Sequence, residues 1–175
     1  IATSKGGTLI SRIVEALSRV RGAYSLLFLT LDKMIAARDP YGFRPLVLGK
    51  FPEGKNRGAF VFASETCALD LIEAEFIRDV EPGEIVTIGP DGMEESLKPF
   101  PPAPHAKCIF EYIYFARPDS NLFGHNVYQV RKALGRQLAR ENGVPADLVT
   151  PVPDSGVPAA MSRSTGVRPG RTALR

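Results

Sequence analysis

The chain has 175 residues, of which 44% are hydrophobic and 23% charged, and its formal net charge is +3. These values are typical of a folded globular protein and exclude a disordered one. No apolar run approaches the roughly 20 residues that a membrane helix needs, so we expect no membrane-spanning segment. Four of the basic residues are arginines in the last fifteen positions, and no basic stripe runs through the rest, so nucleic acid is not an expected partner. Two cysteines are too few for a disulfide framework, which predicts the cytoplasm.

The first hundred residues predict mainly strands, accompanied by two helices. An apolar stripe of 3.6-residue period predicts a helix over residues 8–21, with Gly22 as its stop. A short helix is predicted over residues 66–72. Apolar runs separated by turn residues predict strands at 23–31, 34–37, 46–49, 59–63, 85–88 and 93–97. The last two strands are expected to form a hairpin across a Gly-Pro-Asp-Gly turn.

Charged residues flank two prolines and a glycine in the turn at residues 38–45. Arg38, Asp39 and Arg44 either brace this turn or contact a second domain or a neighbouring subunit. We favour the bracing role, because turn chemistry accounts for every residue type present.

Four prolines stiffen residues 98–107, which predicts a linker between two domains. The next stretch, residues 108–120, holds one cysteine and a run of aromatic residues. Its apolar residues fall on both faces of an alternating pattern, which predicts a strand buried on both sides, and Glu111 would then need a partner. An apolar stripe at Val127, Val130, Leu134 and Leu138 predicts a helix that ends near residues 142–143.

A candidate anion site follows at residues 148–156. We predict a short buried strand at 148–152, then a loop with Asp154, Ser155 and Gly156, then the start of a helix. Backbone N–H groups and a hydroxyl at a helix N-terminus suit an anion. Alternatively, Asp154 or Ser155 caps the helix.

Several blocks together resemble the amidophosphoribosyltransferase family. They are Arg-Gly-Ala-Tyr-Ser at 21–25, Ala-Arg-Asp-Pro-Tyr-Gly-Phe-Arg-Pro-Leu at 37–46, Phe-Ala-Ser-Glu at 62–65, Arg-Asp-Val-Glu-Pro-Gly-Glu at 78–84, Phe-Glu-Tyr-Ile-Tyr-Phe-Ala-Arg-Pro-Asp-Ser at 110–120, and Pro-Val-Pro-Asp-Ser-Gly at 151–156. The second and third blocks also occur in other class II glutamine amidotransferases. The block at 110–120 is far more specific, and it disfavours an asparagine synthetase relative.

The resemblance implies a mixed α+β and α/β fold. Residues 1–105 would be the latter half of an N-terminal-nucleophile glutaminase domain, an αββα sandwich, and residues 106–175 the start of a type I phosphoribosyltransferase domain. Residues 161–175 depart from the family pattern, being rich in arginine, serine and glycine without periodicity.

The resemblance also implies an activity in the first committed step of purine biosynthesis. The family's glutaminase releases ammonia, which displaces pyrophosphate from phosphoribosyl pyrophosphate to give 5-phosphoribosylamine. The expected partners are glutamine, phosphoribosyl pyrophosphate with Mg²⁺, purine nucleotides as feedback inhibitors, and further copies of the chain in a homo-oligomer.

No catalytic residue of the family falls within this sequence. The resemblance places the nucleophilic cysteine before Ile1 and the Asp-Asp-Ser loop for phosphoribosyl pyrophosphate after Arg175. The chain alone is therefore expected to be inactive. Alternatively, it is a catalytically silent paralogue that acts as a nucleotide-binding or subunit-interaction module.

The resemblance gives roles to individual residues as well. Asp154, Ser155 and Gly156 match a loop near the substrate's pyrophosphate. Cys108 matches a position that ligates a [4Fe–4S] cluster in one subgroup; the alternative is a buried, inert thiol. Cys67 is expected to fill the core, and Glu65 to be structural rather than a catalytic acid.

Overall fold

The computed structural model describes residues 1–52, 58–92 and 94–163, the side chain of Arg163 excepted. The chain divides into two compact units. The first comprises Ile1–Ser64 and Leu69–Cys108, and the second comprises Glu65–Ala68 and Ile109–Arg175. The assignment of domains to residues 1–105 and 106–175 stays a prediction. None of the described helices is both long enough and apolar enough to cross a membrane.

Seven strands and a helix form most of the first unit. The helices are α1 (Leu9–Leu17) and α2 (Thr66–Leu71), of which α2 begins in the second unit and ends in the first. The strands are β1 (Ser25–Leu29), β2 (Met34–Arg38), β3 (Val47–Lys50), β4 (Phe60–Ala63), β5 (Glu75–Asp79), β6 (Ile85–Ile88) and β7 (Glu94–Leu97).

The strands of the first unit form two antiparallel sheets. One has the order β1-β2-β6-β7 and the other the order β4-β3-β5. Side chains alternate along β2, so Ala36 packs with Leu48 of the second sheet, whereas Ile35 and Ala37 pack with Ile13 of α1. The four-stranded sheet therefore lies between α1 and the three-stranded sheet.

Most predicted elements of the first unit are present, with two differences. Helix α1 ends at Leu17 rather than at residue 21, and its Thr8 cap and Ser11 form a capping box at the N-terminus. Strand β5 was not predicted, because its Glu-Phe-Ile-Arg-Asp sequence lacks a clean alternation of apolar and polar residues. The predicted hairpin of residues 85–88 and 93–97 is confirmed for β6 and β7; Met93 lies outside the described residues.

The described residues of the second unit form three helical segments and a short hairpin. The elements are a π-helical turn (Glu111–Phe115), β8 (Asn121–Leu122), β9 (His125–Asn126), α3 (Val127–Glu141) and α4 (Val157–Arg163). Strands β8 and β9 pair antiparallel. The core of this unit contains Ala116, Leu122 and Val127.

Two strand predictions for the second unit are wrong. Residues 111–115 form the π-helical turn, and Tyr114 is 68% exposed. An apolar run with residues on both faces does not distinguish a strand from a helix, since both patterns fit it. Residues 148–152 form no strand, and Val152 is 81% exposed.

Helix α3 is confirmed, but its buried face differs from the predicted stripe. The buried residues are Val127, Arg131 and Gly135, whereas Leu134 and Leu138 are exposed. The reason is close packing against α4: a Cβ atom added at Gly135 would lie 2.1 Å from the Ala159 carbonyl oxygen. The face of α3 that carries the glycine therefore receives the neighbouring helix.

Candidate functional site

The loop of Asp154, Ser155 and Gly156 (loop 154–156) comes directly before α4. The Asp154 carbonyl accepts a hydrogen bond from the Val157 N–H at 3.2 Å, and the Gly156 N–H donates to the Val152 carbonyl at 3.1 Å. The peptide bond between Pro153 and Asp154 is cis. Backbone groups thus form the turn.

The polar side chains of loop 154–156 take no part in that turn. Asp154 is exposed and Ser155 half-buried, and neither side chain makes a hydrogen bond to another described residue. The capping role that the sequence offered as an alternative is therefore not seen among the described residues. A carboxylate and a hydroxyl remain available at the start of α4.

Position 156 requires glycine because there is no room for a side chain, and not because the backbone has an unusual conformation there. An added Cβ atom would lie 2.6 Å from the Val152 carbonyl oxygen. That oxygen belongs to the backbone and cannot move away cheaply. Any side chain at position 156 would therefore disturb the loop itself.

Cys108 is half-buried at the end of the first unit. Its N–H donates to the Phe43 carbonyl at 3.0 Å, and the Ala106 N–H donates to the Tyr41 carbonyl at 2.9 Å. The residues before Cys108, predicted as a linker, are thus bonded to the turn at 38–45. Loop 154–156 belongs to the other unit.

This chain alone does not supply enough ligands for a [4Fe–4S] cluster. Such a cluster needs about four ligands, most often thiolates, and the sequence has only two cysteines. Cys67 is buried, its thiol donates to Glu65 at 3.6 Å, and burial raises its pKa. No group of three or more potential metal ligands occurs among the described residues. Cys108 as one ligand of a cluster stays a prediction.

A polar cluster that the sequence did not reveal surrounds Glu65 in the second unit. Its Oε2 atom accepts hydrogen bonds from the Arg117 N–H at 2.9 Å and from the Ser120 hydroxyl at 2.8 Å. The neighbouring Thr66 Oγ1 accepts from the Asn121 N–H at 2.9 Å. These hydrogen bonds support the structural role that was expected of Glu65. Arg117 and Ser120 lie more than fifty residues away, so no local pattern could identify them as partners of Glu65.

Arg131 is a second residue that the sequence analysis missed. It is buried in α3 and donates hydrogen bonds to the carbonyls of Tyr112 at 2.5 Å and Ala116 at 2.9 Å. Burial lowers the pKa of its guanidinium. The sequence contains a pattern that could have identified Arg131 as buried. Val127, Arg131 and Gly135 are spaced four residues apart, so they share one face of the helix.

The charged turn at 38–45 is braced from inside by Arg38 and Asp39, as the favoured interpretation predicted for these two residues. Buried Arg38 donates to the carbonyls of Arg44 at 2.8 Å, Val80 at 2.5 Å and Gly42 at 3.1 Å. Buried Asp39 accepts from the Tyr41 N–H at 3.0 Å and the Tyr24 N–H at 3.4 Å. These contacts hold the turn within the first unit.

Comparison with known proteins finds amidophosphoribosyltransferases among the related sequences. Amidophosphoribosyltransferase of Rhizobium etli is 51% identical over 165 residues, which are 92% of this chain and 32% of that protein. The chloroplastic enzyme of Glycine max is 52% identical over 161 residues, or 92% of this chain and 27% of that protein. The Mycobacterium tuberculosis amidophosphoribosyltransferase is 45% identical over 170 residues, which are 96% of this chain and 31% of that protein. No family model matches the chain.

Solved structures of this enzyme are similar in fold as well. Glutamine phosphoribosylpyrophosphate amidotransferase from Bacillus subtilis, complexed with ADP and GMP, has a TM-score of 0.87 and 45% identity. The match covers 95% of this chain and 36% of that one. An allosteric regulatory enzyme of purine biosynthesis has a TM-score of 0.90 and 43% identity. That match covers 99% of this chain and 36% of the other chain.

This chain is homologous to part of amidophosphoribosyltransferase. It spans about a third of the length of the relatives it matches. The resemblance inferred from the six sequence blocks is therefore confirmed, and the fold has the mixed α and β content expected of it. Several amidophosphoribosyltransferases among the relatives are chloroplastic, so the cytoplasmic location stays a prediction.

Proposed function

We propose that this chain forms part of a glutamine-dependent amidophosphoribosyltransferase. The complete enzyme takes ammonia from glutamine and uses it to displace pyrophosphate from phosphoribosyl pyrophosphate, which yields 5-phosphoribosylamine. The observation that carries the proposal is the identity of about half of the residues over 92% of the chain to amidophosphoribosyltransferases.

The two units correspond, in this proposal, to parts of two domains. The first is the latter half of an αββα glutaminase sandwich, and the second begins a type I phosphoribosyltransferase domain. The layering of α1 on one sheet and that sheet on the other supports the first assignment. Leu69 of α2 also packs against Val47 on the second sheet, as a fourth layer requires.

Loop 154–156 contacts the pyrophosphate group of phosphoribosyl pyrophosphate in this proposal. The Ser155 hydroxyl donates a hydrogen bond to a pyrophosphate oxygen. The exposed Asp154 carboxylate repels an anion at close range, so a cation or a water molecule must separate them. Mg²⁺ bound to the substrate supplies that neutralising charge.

Purine nucleotides and further copies of the chain complete the proposed set of partners. The Bacillus subtilis relative was solved as a complex with ADP and GMP, which supports nucleotide regulation of the complete enzyme. The homo-oligomer rests on family resemblance.

The decisive experiment is Ser155→Ala in a full-length protein, in which this chain is joined to the segments by which its relatives exceed it. Loss of a hydrogen bond to a charged group should raise the KM for phosphoribosyl pyrophosphate about tenfold. Glutamine hydrolysis measured without phosphoribosyl pyrophosphate should not change. Gly156→Val is a poorer test, because its side chain would collide with the Val152 carbonyl whether or not the loop binds substrate.

Ser25→Ala is the matched control, since Ser25 is an exposed serine of β1 in the other unit. An unchanged KM in Ser155→Ala would contradict the role of the loop. A full-length protein that neither hydrolyses glutamine nor releases pyrophosphate would contradict the enzymatic proposal and favour a silent paralogue.

A further inference from the structure

The Glu65 carboxylate holds a segment of the second unit that precedes α3. One oxygen, Oε2, accepts hydrogen bonds from the Arg117 N–H and from the hydroxyl of Ser120, which is fully buried. Thr66 adds a third bond to the same segment through the Asn121 N–H. Hydrogen bonds to a charged acceptor are the stronger kind, so Glu65 restrains residues 117–121 from outside the segment, in addition to the local Arg117–Asp119 ion pair.

The segment held by Glu65 in turn fixes the start of α3. The Pro118 carbonyl accepts from the Tyr128 N–H, and the Ser120 carbonyl accepts from the Val127 N–H, both at 3.0 Å. These N–H groups belong to the first turn of α3, which has no intrahelical partners for them. The position of the helix N-terminus therefore follows that of residues 118–120.

Helix α3 transmits its position to α4 through close backbone packing. The Gly135 position approaches the Ala159 backbone so closely that no side chain fits between them. Arg131, one turn earlier, is locked to the Tyr112 and Ala116 carbonyls and prevents α3 from turning about its axis. Helix α4 begins at Val157. The Val157 N–H donates a hydrogen bond to the Asp154 carbonyl of loop 154–156.

We propose that Glu65 is a positioning residue for loop 154–156, acting through residues 117–121, α3 and α4. The proposal rests on the proposed function of that loop. Every contact in this series lies within the second unit. Glu65 touches no part of the loop and takes no part in the reaction; it sets where the Ser155 hydroxyl meets the pyrophosphate group.

The test compares Glu65→Ala, Glu65→Gln and Ser155→Ala in the full-length protein. Removing the carboxylate should raise the KM for phosphoribosyl pyrophosphate about fivefold or more with a small change in kcat, as expected for coupling between distant sites. The glutamine side-chain oxygen can accept the same two hydrogen bonds, so Glu65→Gln should keep the KM within about twofold of the wild type. Glu95→Ala, an exposed glutamate of β7, is the matched control.

A purely structural role would give a different result. If Glu65→Ala only lowers the fraction of folded protein, kcat falls and the KM stays unchanged, which would overturn the inference. Hydrogen exchange by mass spectrometry gives a second readout: in Glu65→Ala, amides of residues 127–131 and 154–157 should exchange faster. Unchanged exchange there would also overturn it.

Failure of this inference is distinguishable from failure of the proposed function. A raised KM in Ser155→Ala with an unchanged KM in Glu65→Ala would overturn the role of Glu65 alone. An unchanged KM in Ser155→Ala would overturn the role of the loop, and the positioning role of Glu65 with it.

Discussion

Tyr24 places a hydroxyl group in the apolar core of the first unit. The side chain is buried among Ile13, Leu17 and Ile35, and its hydroxyl has no hydrogen-bond partner among the described residues. Burial and the negative charge of Asp39 raise its pKa to about 12, so the phenol stays protonated at physiological pH. A buried hydroxyl without a partner destabilises a fold by about 1–3 kcal/mol.

We therefore predict that Tyr24→Phe stabilises the first unit by about 1 kcal/mol, because it removes the unpaired group and keeps the ring. Hydrogen exchange of the β2 amides in the full-length protein should slow accordingly. Tyr41→Phe is the control, since Tyr41 is exposed and its hydroxyl can be hydrated. Faster exchange in Tyr24→Phe would mean that the hydroxyl has a partner, such as a water molecule.

At the scale of elements, ion pairs of Arg78 join the two sheets of the first unit. Arg78 of β5 donates two hydrogen bonds to buried Glu84, at 2.8 and 2.9 Å, and also contacts Glu94 of β7. Glu84 further accepts from the Ser96 hydroxyl and the Glu81 N–H, both at 2.6 Å. Burial alone would raise the pKa of Glu84, but these four bonds outweigh it and the pKa is lowered.

The lowered pKa of Glu84 predicts how this ion pair responds to pH. A carboxylate whose pKa is lower in the folded state stabilises the fold above its unfolded pKa, and that contribution disappears as pH falls through the folded value. The protection that Glu84 adds to the β6 amides should therefore be complete at neutral pH, begin to fall near pH 4.5, the ordinary value for glutamate, and disappear at lower pH. Glu84→Gln should exchange faster at pH 7, by about 2 kcal/mol of opening free energy, and depend less on acid.

The control for this prediction is Glu95→Gln, an exposed residue of the same hairpin. Its exchange should match the wild type at both pH values. Equal acid sensitivity in Glu84→Gln and the wild type would show that another group causes the loss.

How far the sequence predicts each element depends on whether its partners are local. Helix α1 and the hairpin of β6 and β7 follow from periodicity and turn residues, and both were predicted. The π-helical turn was not, because Arg131 satisfies the Tyr112 and Ala116 carbonyls from a different element. The same holds for the site: loop 154–156 carries its own motif, whereas the Arg117 and Ser120 groups that bond to Glu65 lie 52 and 55 residues away from it.

At the scale of the whole molecule, both units leave large apolar side chains uncovered. In β1, Leu27 and Leu29 lie opposite Ala36 and Met34 in register, yet they are 54% and 83% exposed while Ala36 is buried. The sandwich core that covers β2 thus does not extend over β1. In the second unit the exposed set is Ile109, Phe110, Ile113, Tyr114, Phe115, Leu134, Leu138, Val144, Leu148, Val152 and Met161.

We predict that the 175-residue chain on its own behaves as a molten globule, because exposed apolar surface of this extent is uncommon in stable monomers. It should bind the dye ANS strongly, keep its far-ultraviolet circular dichroism, lose its near-ultraviolet signal, and melt without a cooperative calorimetric transition. The full-length protein is the control and should bind little dye. A sharp thermal transition of the isolated chain with weak ANS fluorescence would contradict this expectation, and would mean that its apolar faces are covered by self-association or by repacking of β1.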